Sequence, residues 1–449
     1  MTANRLLKKL LRVKGAFVDS FDLEGTDGPD PVLVVHVHLG RRHLRLCPEC
    51  GRRCPVHDYL GEETFWRGMD LGPVRVLVGA RVPRVRCREH GVHVAAVPWA
   101  APGSRFTRDM ARVAAWLVKG GMNRTRVSEM LRVDWDTVGR LVAQVWHELE
   151  PDVRGRLDGL VEIGIDETSH KKGHRYITTV VNHRTNTVVW ACDGHGKEVL
   201  DKFFGLLTPE QRAGIRVVTA DGARWITDAI EQYCPNARRC LDPFHVVQWA
   251  TSALDAVRLD AWRKARAEWA GRKREADEGD ARAQAAVRDA RRAADAIKHS
   301  KYALGKAPEN LTERQLDTLA AIQAEDGPLA RAHAIKEQLR LILKIPDADE
   351  AAACLDRWIA RTQRCRIPAF VELQRKIRRH REHILNAIRH GVSNARIEAT
   401  NNKIKLLIRI AYGFHDVNTM ISLIMLVCSP IEIPWPGREL QTPVKPGAA

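Results

Sequence analysis

Residues 161–166 read Val161-Glu-Ile-Gly-Ile-Asp166, a short apolar run that ends in a carboxylate. It predicts a buried strand, and Ile215-Arg-Val-Val-Thr-Ala-Asp221 predicts a second strand of the same form. Short apolar strands alternate with helical segments over residues 157–247, which is typical of an α/β unit. Two parallel central strands of one sheet would bring their terminal Asp side chains together at the strand ends.

Further segments of this region complete the predicted sheet. They are a hairpin of Tyr176–Asn182 and Thr187–Ala191, a helix at about Glu198–Leu207, and a fifth strand, Arg238–Leu241. Asp242 and His245 follow that strand and are expected close to Asp221, where a His could orient a phosphate or a water. The alternative is an Asp that caps a helix and a His that packs against it.

A third acidic residue, Glu398, lies within Ser393-Asn-Ala-Arg-Ile-Glu-Ala-Thr-Asn-Asn-Lys-Ile-Lys405, which predicts a helix. Carboxylate oxygens are ligands that Mg²⁺ prefers. Two Mg²⁺ ions held by Asp166, Asp221 and Glu398 would activate an attacking oxygen and stabilise a leaving one in phosphoryl transfer. Each acid taken singly has an ordinary explanation, as a cap or turn residue or as a solvated helix residue.

The first 100 residues contain a predicted metal site. Cys47-Pro-Glu-Cys50 and Cys87-Arg-Glu-His90 together offer three thiolates and one imidazole, a closed set suited to structural Zn²⁺. The 36 residues between the pairs have room for a small β-hairpin with Gly72-Pro73 at its turn. Cys54 and His57 are competing ligands, and buried cysteines without a metal are the alternative.

Three helices are predicted next, in the arrangement of a helix-turn-helix. They cover Thr107–Lys119, Arg126–Leu131, and a third that opens at Val133 and ends near Trp146. Such a motif places its last helix in the major groove of DNA, although an ordinary three-helix bundle has the same pattern. The expected DNA contacts are Arg124 and Arg126 in the turn, with Trp135, Asp136, Thr137 and Arg140 facing outward on the third helix.

Composition and charge limit the function classes. The chain has 449 residues and a formal net charge of +17, which favours a polyanionic partner such as DNA; a basic protein from a GC-rich genome is the alternative. No secretory signal is present, and the apolar run Met420–Cys428 is too short to span a bilayer, so no membrane partner is expected. The ten cysteines are then expected in a reducing compartment, the cytoplasm.

The ordered motifs resemble those of the ISL3 family of bacterial insertion-sequence transposases. Besides the two Cys/His knuckles they are Gly164-Ile-Asp-Glu167, Lys172-Gly-His-Arg-Tyr176, Thr219-Ala-Asp-Gly222, Asp242-Pro-Phe-His-Val246, Ser393-Asn-Ala-Arg-Ile-Glu398 with Asn401 and Lys403-Ile-Lys405, and Tyr412-Gly-Phe414. The resemblance implies an RNase H-like catalytic core in which Asp166, Asp221 and Glu398 are the DDE triad. Ala399 and Ala395 stand where the family commonly has Gly, a mild change because Ala is the better helix former.

The predicted organisation is a multidomain α/β protein. Its parts are a zinc-binding domain at 1–100, a helix-turn-helix at 101–150, the first part of the core at 157–247, a helical insertion at 248–390, the last part of the core at 391–430, and a tail at 431–449. Lys171, Lys172, Lys403, Lys405 and Arg409 flank the acids and are expected to clamp phosphates.

Two basic segments of the insertion are expected to differ in whether they contact DNA. The long helices around Trp262 and Trp269 either track DNA or present a solvated face of i,i+4 ion pairs. Gln374–His383 is more one-sidedly basic, which favours DNA contact there.

The expected function is that of a DDE transposase. It would bind the terminal repeats of an insertion sequence, hydrolyse the 3′ ends and join them to target DNA, as a homodimer or larger assembly on nucleoid DNA. A DNA-binding regulator that lost catalysis is the main alternative. An RNase H-like nuclease would need no sequence-reading domain, and a tyrosine recombinase fits poorly because the chain has five Tyr and none in an obvious Arg/His constellation.

Overall fold

The protein is described by a computed structural model that covers residues 2–59, 61–149, 153–171, 173, 175–277, 280–325, 327–391, 395–410 and 416–438. For 153, 154, 395–399, 401 and 410 it describes the backbone alone. The described chain folds around four sizeable hydrophobic cores: that of the N-terminal domain, one on each face of a central sheet, and that of a helical insertion.

The N-terminal domain is built mainly of strands. Its elements are α1 (Ala3–Leu10), β1 (Ala16–Glu24), β2 (Val32–Leu39), β3 (Val56–Tyr59), β4 (Thr64–Arg67), β5 (Arg75–Ala80), β6 (Pro83–Cys87) and β7 (Gly91–Val94). The strands form a four-stranded sheet of order β1-β2-β5-β4 and a three-stranded sheet of order β3-β6-β7. The predicted hairpin turn is confirmed between β4 and β5, where Leu71 and Val74 exchange backbone hydrogen bonds around Gly72-Pro73. Gly72 has φ of +62°, a conformation that glycine adopts at little cost.

Three helices follow, α2 (Arg108–Lys119), α3 (Arg124–Leu131) and α4 (Trp135–Leu149). The predicted N-cap is confirmed, because Thr107 Oγ1 accepts a hydrogen bond from Met110 N–H at 3.4 Å. The second helix begins two residues earlier than predicted, since Asn123 caps it by accepting from Arg126 N–H at 2.8 Å. Arg132, at φ 51°, ends it and donates to Asp70 and Asp30 of the N-terminal domain.

The central sheet contains five strands. The elements of this part are α5 (Val153–Arg156), β8 (Glu162–Lys171), β9 (Arg175–Asn182), β10 (Thr187–Asp193), α6 (Lys197–Gly205), α7 (Pro209–Gly214), β11 (Val217–Ala220), α8 (Arg224–Tyr233) and β12 (Arg238–Leu241). The order is β10-β9-β8-β11-β12, antiparallel through β8 and parallel from β8 to β12. The predicted hairpin, central parallel pair and fifth strand are therefore confirmed.

One strand differs from its prediction. Asp166 was expected at the end of its strand, but β8 continues to Lys171 because β9 pairs with it along that whole length. On the other side of β8, pairing with β11 runs only from Glu162 to Gly164. Asp166 therefore lies inside β8, just past the point where the parallel neighbour ends.

The insertion is entirely helical and has its own core. Its helices are α9 (Pro243–Glu275), α10 (Ala281–His299), α11 (Lys301–Gly305), a 3₁₀ turn (Pro308–Asn310), α12 (Glu313–Ala324), α13 (Pro328–Ile342), α14 (Ala348–Gln363), α15 (Pro368–Arg379) and α16 (Arg381–Arg389). On the distal half of α9, Lys264–Asp260 at 2.8 Å and Arg272–Glu268 at 2.6 Å are i,i+4 ion pairs. Part of the basic surface is therefore a solvated face of paired charges.

The chain then returns to the central sheet with α17 (Ala395–Ile410) and α18 (Val417–Cys428). One face of the sheet packs against α6 and α8. The other packs against α18 and Ile404 of α17, and the same core continues into α2 and α4. Lys119 of α2 strengthens this junction because its ammonium donates to the carbonyls of Leu426 at 2.8 Å and Ile431 at 2.6 Å. Within the described ranges, none of the helices has the length and apolar character needed to cross a membrane.

Candidate active site

The register of the parallel strands aligns three carboxylates. Thr219 pairs with Gly164, so Asp221 follows two residues later opposite Asp166. Ala220 pairs with Leu241, so Asp242 lies opposite Asp221 on the other side. Neighbouring strands are about 4.8 Å apart, so the three Asp residues lie side by side across β8, β11 and β12, towards the carboxyl ends of these strands. The structure thus brings together Asp166, Asp221 and Asp242, as the sequence predicts.

Asp166 is partly buried, so its charge is poorly solvated. Burial raises the pKa of its carboxyl to about 6, while His245 and Lys405 oppose the shift and Asp242 adds to it. These neighbours place the start of α9 and the polar face of α17 around Asp166. A half-buried carboxylate among other carboxylates is stabilised when a cation is bound beside it, because the cation removes the like-charge repulsion.

The backbone around Asp221 is held by hydrogen bonds. Its Oδ1 accepts from Ala223 N–H at 2.9 Å, which fixes the turn after β11. Arg239 on β12 is buried, and its guanidinium donates to the carbonyl oxygens of Asp221 and of Ala223. Asn386 of α16 donates to the carbonyl of Arg239 at 3.1 Å, which connects the insertion to this turn.

Asp242 caps a helix and His245 lies beside it, which is the arrangement given above as the alternative to a catalytic role. Asp242 Oδ1 accepts from Phe244 N–H at 2.6 Å and so caps α9. His245 Nε2 lies 3.9 Å from Asp242 Oδ2, and its other ring nitrogen lies 3.3 Å from Gln248 Oε1. Since both also border Asp166, their catalytic role stays a prediction.

Glu167 is a further carboxylate near this site, and the sequence motifs alone assigned it no role. Alternation along β8 points it to the opposite face from Asp166, where it accepts a hydrogen bond from Gly196 N–H at the start of α6. Burial and the charges of Asp221 and Asp166 raise its pKa to about 7. Its position directly after Asp166 was the available signal, but an acid next to a site residue is usually solvated.

The remaining predicted site residues lie on α17 and at the end of β8. Glu398 belongs to α17, and its side chain falls outside the described residues, as does all of Lys172. Lys171 and Arg409 are exposed, and Lys405 is exposed beside Asp166. The prediction that Lys403 clamps a phosphate beside the acids is wrong. Its ammonium donates to Val427 O at 3.0 Å, at the end of α18, and is not directed at the acids.

The N-terminal cluster has the geometry of a tetrahedral metal site. One ligand atom from each of Cys47, Cys50, Cys87 and His90 lies within 4.8 Å of the others. His90 Nδ1 is 3.4 Å from Cys87 Sγ and 3.9 Å from Cys47 Sγ, and Cys50 Sγ is 3.8 Å from Cys87 Sγ. Sulfur ligands 2.3 Å from a tetrahedral zinc are about 3.8 Å apart, so the four residues fit Zn²⁺.

The two competing ligands lie near this cluster without joining it. Cys54 is buried next to Cys87, and burial raises the pKa of its thiol. His57 Nδ1 faces Arg86 Nη2 at 3.2 Å. The domain core, including Trp66 and Trp99 packed edge-to-face at 5.5 Å, lies behind the cluster.

Two of the expected DNA contacts on the helix-turn-helix are wrong. Arg124 and Thr137 are each only 4% exposed. Arg124 stacks its guanidinium 3.4 Å from the centre of the Trp135 ring and donates to Trp135 O at 2.9 Å. Arg140 is exposed and donates to Thr137 Oγ1 at 2.7 Å, and the exposed Arg126 pairs with Glu129 at 2.8 Å. Arg126, Arg140 and the half-buried Trp135 keep their expected access to DNA.

Gly139 is expected to be essential for this packing. A Cβ there would lie 2.5 Å from Arg124 Nη2 and 2.9 Å from Thr419 Cγ2. Gly139→Ala should therefore lower the free energy of unfolding by about 1–3 kcal/mol in a denaturant titration. Gly271→Ala is the matched control, since that helical position is open, and it should raise stability by about 0.5–1 kcal/mol. Equal stabilisation by both changes would contradict the described contact of α4 with Arg124.

The fold defines the class of the protein: a core of the RNase H-like type, with a five-stranded sheet in which Asp166, Asp221 and Asp242 occupy adjacent positions on neighbouring strands. Three family models match the chain in order. They are a zinc-finger of transposases IS204/IS1001/IS1096/IS1165 at residues 43–90, the helix-turn-helix domain of transposase family ISL3 at 95–146, and the ISL3 DDE transposase domain at 163–424.

Full-length relatives agree with these matches. The chain is 43% identical over 443 residues to the transposase for insertion sequence element IS1557 of Mycobacterium tuberculosis, covering 97% of this chain and 98% of the relative. It is 27% identical over 421 residues to the transposase for insertion sequence element IS1001 of Bordetella parapertussis, covering 91% and 95%. The chain belongs to the ISL3 family of transposases.

Proposed function

We propose that this transposase cuts the 3′ ends of an insertion sequence and joins them to target DNA at the edge formed by Asp166, Asp221 and Glu398. The observation that carries the proposal is the register of β8 and β11, which aligns Asp166 with Asp221 in a basic protein. Such a pair can hold the cations that a phosphoryl transfer needs.

Glu398 is proposed as the third carboxylate. Helix α17 packs against β8, and the charge of Lys405 acts on the carboxyl of Asp166. Glu398 lies seven residues before Lys405, which places the two on the same face of one helix. The charge effect of Lys405 on Asp166 therefore supports a place for Glu398 near the same carboxyl.

Asp166, Asp221 and Glu398 are the residues that would hold two Mg²⁺ ions. Bound there, the ions would activate the attacking oxygen and stabilise the leaving oxygen of an in-line displacement. The chain itself positions the carboxylates, through the sheet register and through Arg239, which holds the turn of Asp221. The exposed residues Lys405, Lys171 and Arg409 would neutralise DNA phosphates near the acids.

The N-terminal parts are proposed to read the element ends. Zn²⁺ at Cys47, Cys50, Cys87 and His90 would stabilise the first domain, and the exposed residues Arg126, Trp135 and Arg140 would contact DNA. Two ends must be brought together for joining, so we propose a homodimer or larger assembly on double-stranded DNA. Because the proposed substrate is bacterial DNA, we propose that the protein acts on the nucleoid, in the cytoplasm. The domain limits are proposed as predicted, except that the insertion begins with α9 at Pro243.

A gel assay tests the proposal. Labelled duplex with the gene's own flanks is incubated with the protein in Mg²⁺, and a parallel reaction contains EDTA. Nicks at the repeat ends and joined products should form with Mg²⁺ and be absent with EDTA. Nicks without joined products would indicate a nuclease. Specific binding without either product would indicate the regulator that lost catalysis.

A further inference from the structure

The first helix, α1, has a cationic side that the proposed function does not use. Residues 1–18 contain no Asp or Glu. A pocket of about 630 Å³ opens between α1 and the start of β1, and the cations on its wall are Arg5, Lys8, Lys9, Arg12 and Lys14. All five precede residue 43, where the first of the three family matches begins, so those matches assign them no role.

Helix α1 is packed against the N-terminal domain. Leu7 and Leu11 contact the hydrophobic core of that domain. Asn4 Nδ2 donates to the carbonyl oxygens of Val18 and Asp19, each at 3.2 Å. The helix is therefore held in place on β1, and its cations belong to the surface of the folded domain.

The exposed cations of α1 have no acids to balance them. Arg5, Lys9 and Lys14 are exposed, and none of them has an ion pair with a residue that the structure describes. The first acid of the chain, Asp19, is paired with His38 at 2.6 Å. Like charges one turn apart on a helix, such as Arg5 and Lys9, repel each other, so a bound polyanion would relieve an unfavourable interaction.

These cations continue onto the helix-turn-helix. Arg12 and Lys14 also line a second pocket, of about 180 Å³, whose other wall is the start of α2. Arg108 and Arg112 are further cations on that wall, and its acid, Asp109, lies 3.5 Å from Arg12. The cations of the two pockets that acids of α2 and α4 leave available form the α1 surface: Arg5, Lys8, Lys9, Arg12, Lys14 and Arg112.

The α1 surface lies at the other end of α4 from the residues proposed to read bases. Arg108, beside the second pocket, pairs with Glu148 near the C-terminal end of α4, at 2.6 Å. Glu148 follows Trp135 by thirteen residues, which is about 20 Å of helix. Phosphates bound by the α1 surface would therefore be different from those beside Trp135 and Arg140.

We propose that the α1 surface binds the phosphate backbone of the same duplex whose bases α4 reads. The proposal rests on the proposed reading of the element ends and adds a segment outside the matched zinc-finger to it. Phosphate contacts carry no base sequence, so this surface would add affinity and fix the position of the protein on the duplex. A basic amphipathic helix can also bind an anionic membrane, but the continuation of the cations onto a helix-turn-helix favours DNA.

The salt dependence of DNA binding tests the proposal. The full chain is titrated with a labelled duplex that carries the gene's own flanks, without added Mg²⁺, over a range of salt concentrations. The triple variant Arg5→Gln, Lys9→Gln, Lys14→Gln removes three exposed charges. Each lost phosphate contact makes the slope of log K against log salt shallower by about 0.9, so the variant should lose up to about 2.7 of the wild-type slope.

A second triple variant is the matched control. Lys264→Gln, Lys301→Gln, Lys344→Gln removes the same net charge from exposed lysines of the insertion, each of which is paired with an acid. Its slope should equal that of the wild type. An equal loss of slope in both variants would show an effect of net charge alone and would overturn the proposal, as would equal slopes for wild type and the α1 variant.

Shortened duplexes locate the contact. When base pairs are removed from one side only, the slope of the wild type should fall to that of the α1 variant, because the phosphates bound by the α1 surface are gone. A difference that survives every shortening would show that the surface holds another duplex, against the proposal. Equal slopes combined with vesicle binding by the wild type but not by the α1 variant, on vesicles containing phosphatidylserine, would assign the surface to a membrane. Failure of the wild type to bind any duplex would overturn the proposed reading of the element ends and, with it, this surface.

Discussion

Asp221→Asn is expected to slow DNA cleavage by about 10²–10³-fold or more. Asn keeps the size of the side chain and can still accept from Ala223 N–H, so the turn after β11 should persist. What is lost is the negative charge opposite Asp166 that a cation requires. The cleavage rate with Mg²⁺ and the affinity for the same DNA should be measured together.

The affinity of Asp221→Asn for DNA is expected to be unchanged or slightly higher, because a negative charge near the phosphates is removed. Asp317→Asn is the matched control, an exposed acid on α12 that should cut at the wild-type rate. Cleavage by Asp221→Asn at the wild-type rate would remove Asp221 from the proposed triad and the two-metal mechanism with it.

Cys87→Ser is expected to remove the metal from the N-terminal domain and to unfold much of that domain. Structural zinc contributes about 10–16 kcal/mol to the folding of small zinc peptides at neutral pH, far more than a packing contact. Metal analysis should give about one zinc per wild-type chain and nearly none for Cys87→Ser. Limited proteolysis should then cleave within residues 1–100 first.

Cys54→Ala is the control that separates the assigned ligands from their neighbour. Cys54 is buried beside Cys87 but lies outside the four-residue cluster, so the change should leave the zinc content intact. Loss of zinc from Cys54→Ala, with retention by Cys87→Ser, would show that the ligand set is different.

Local patterns were sufficient for much of the fold. Apolar runs predict β11 and β12, and their acidic endings predict the aligned edge at Asp221 and Asp242. The end of β8 could not be read in this way, because Asp166 and the polar residues after it resemble a loop. They are held in the strand by pairing with β9, a contact that no local pattern records.

Residue roles on the helix-turn-helix depend on distant partners. Thr137 and Arg124 look exposed when α3 and α4 are considered alone. Both are buried, and Arg124 lies on Trp135 and against Gly139, the position to which α18, nearly three hundred residues further along the chain, brings Thr419. A pocket lined by Gly222, Trp249 and Lys376 likewise combines residues more than a hundred positions apart, so only the folded chain brings them together.

The continuous core of α2, α4 and α18 has a consequence for where the DNA is cut. Helices that share one core with the catalytic sheet, and are fastened to it through Lys119, cannot turn independently of it. If α4 reads bases and the bond is broken at Asp221, as proposed, the interval between these two places is therefore a fixed length along the duplex. Element ends with extra base pairs inserted in that interval should be bound as before, yet be cut at a displaced position or remain uncut.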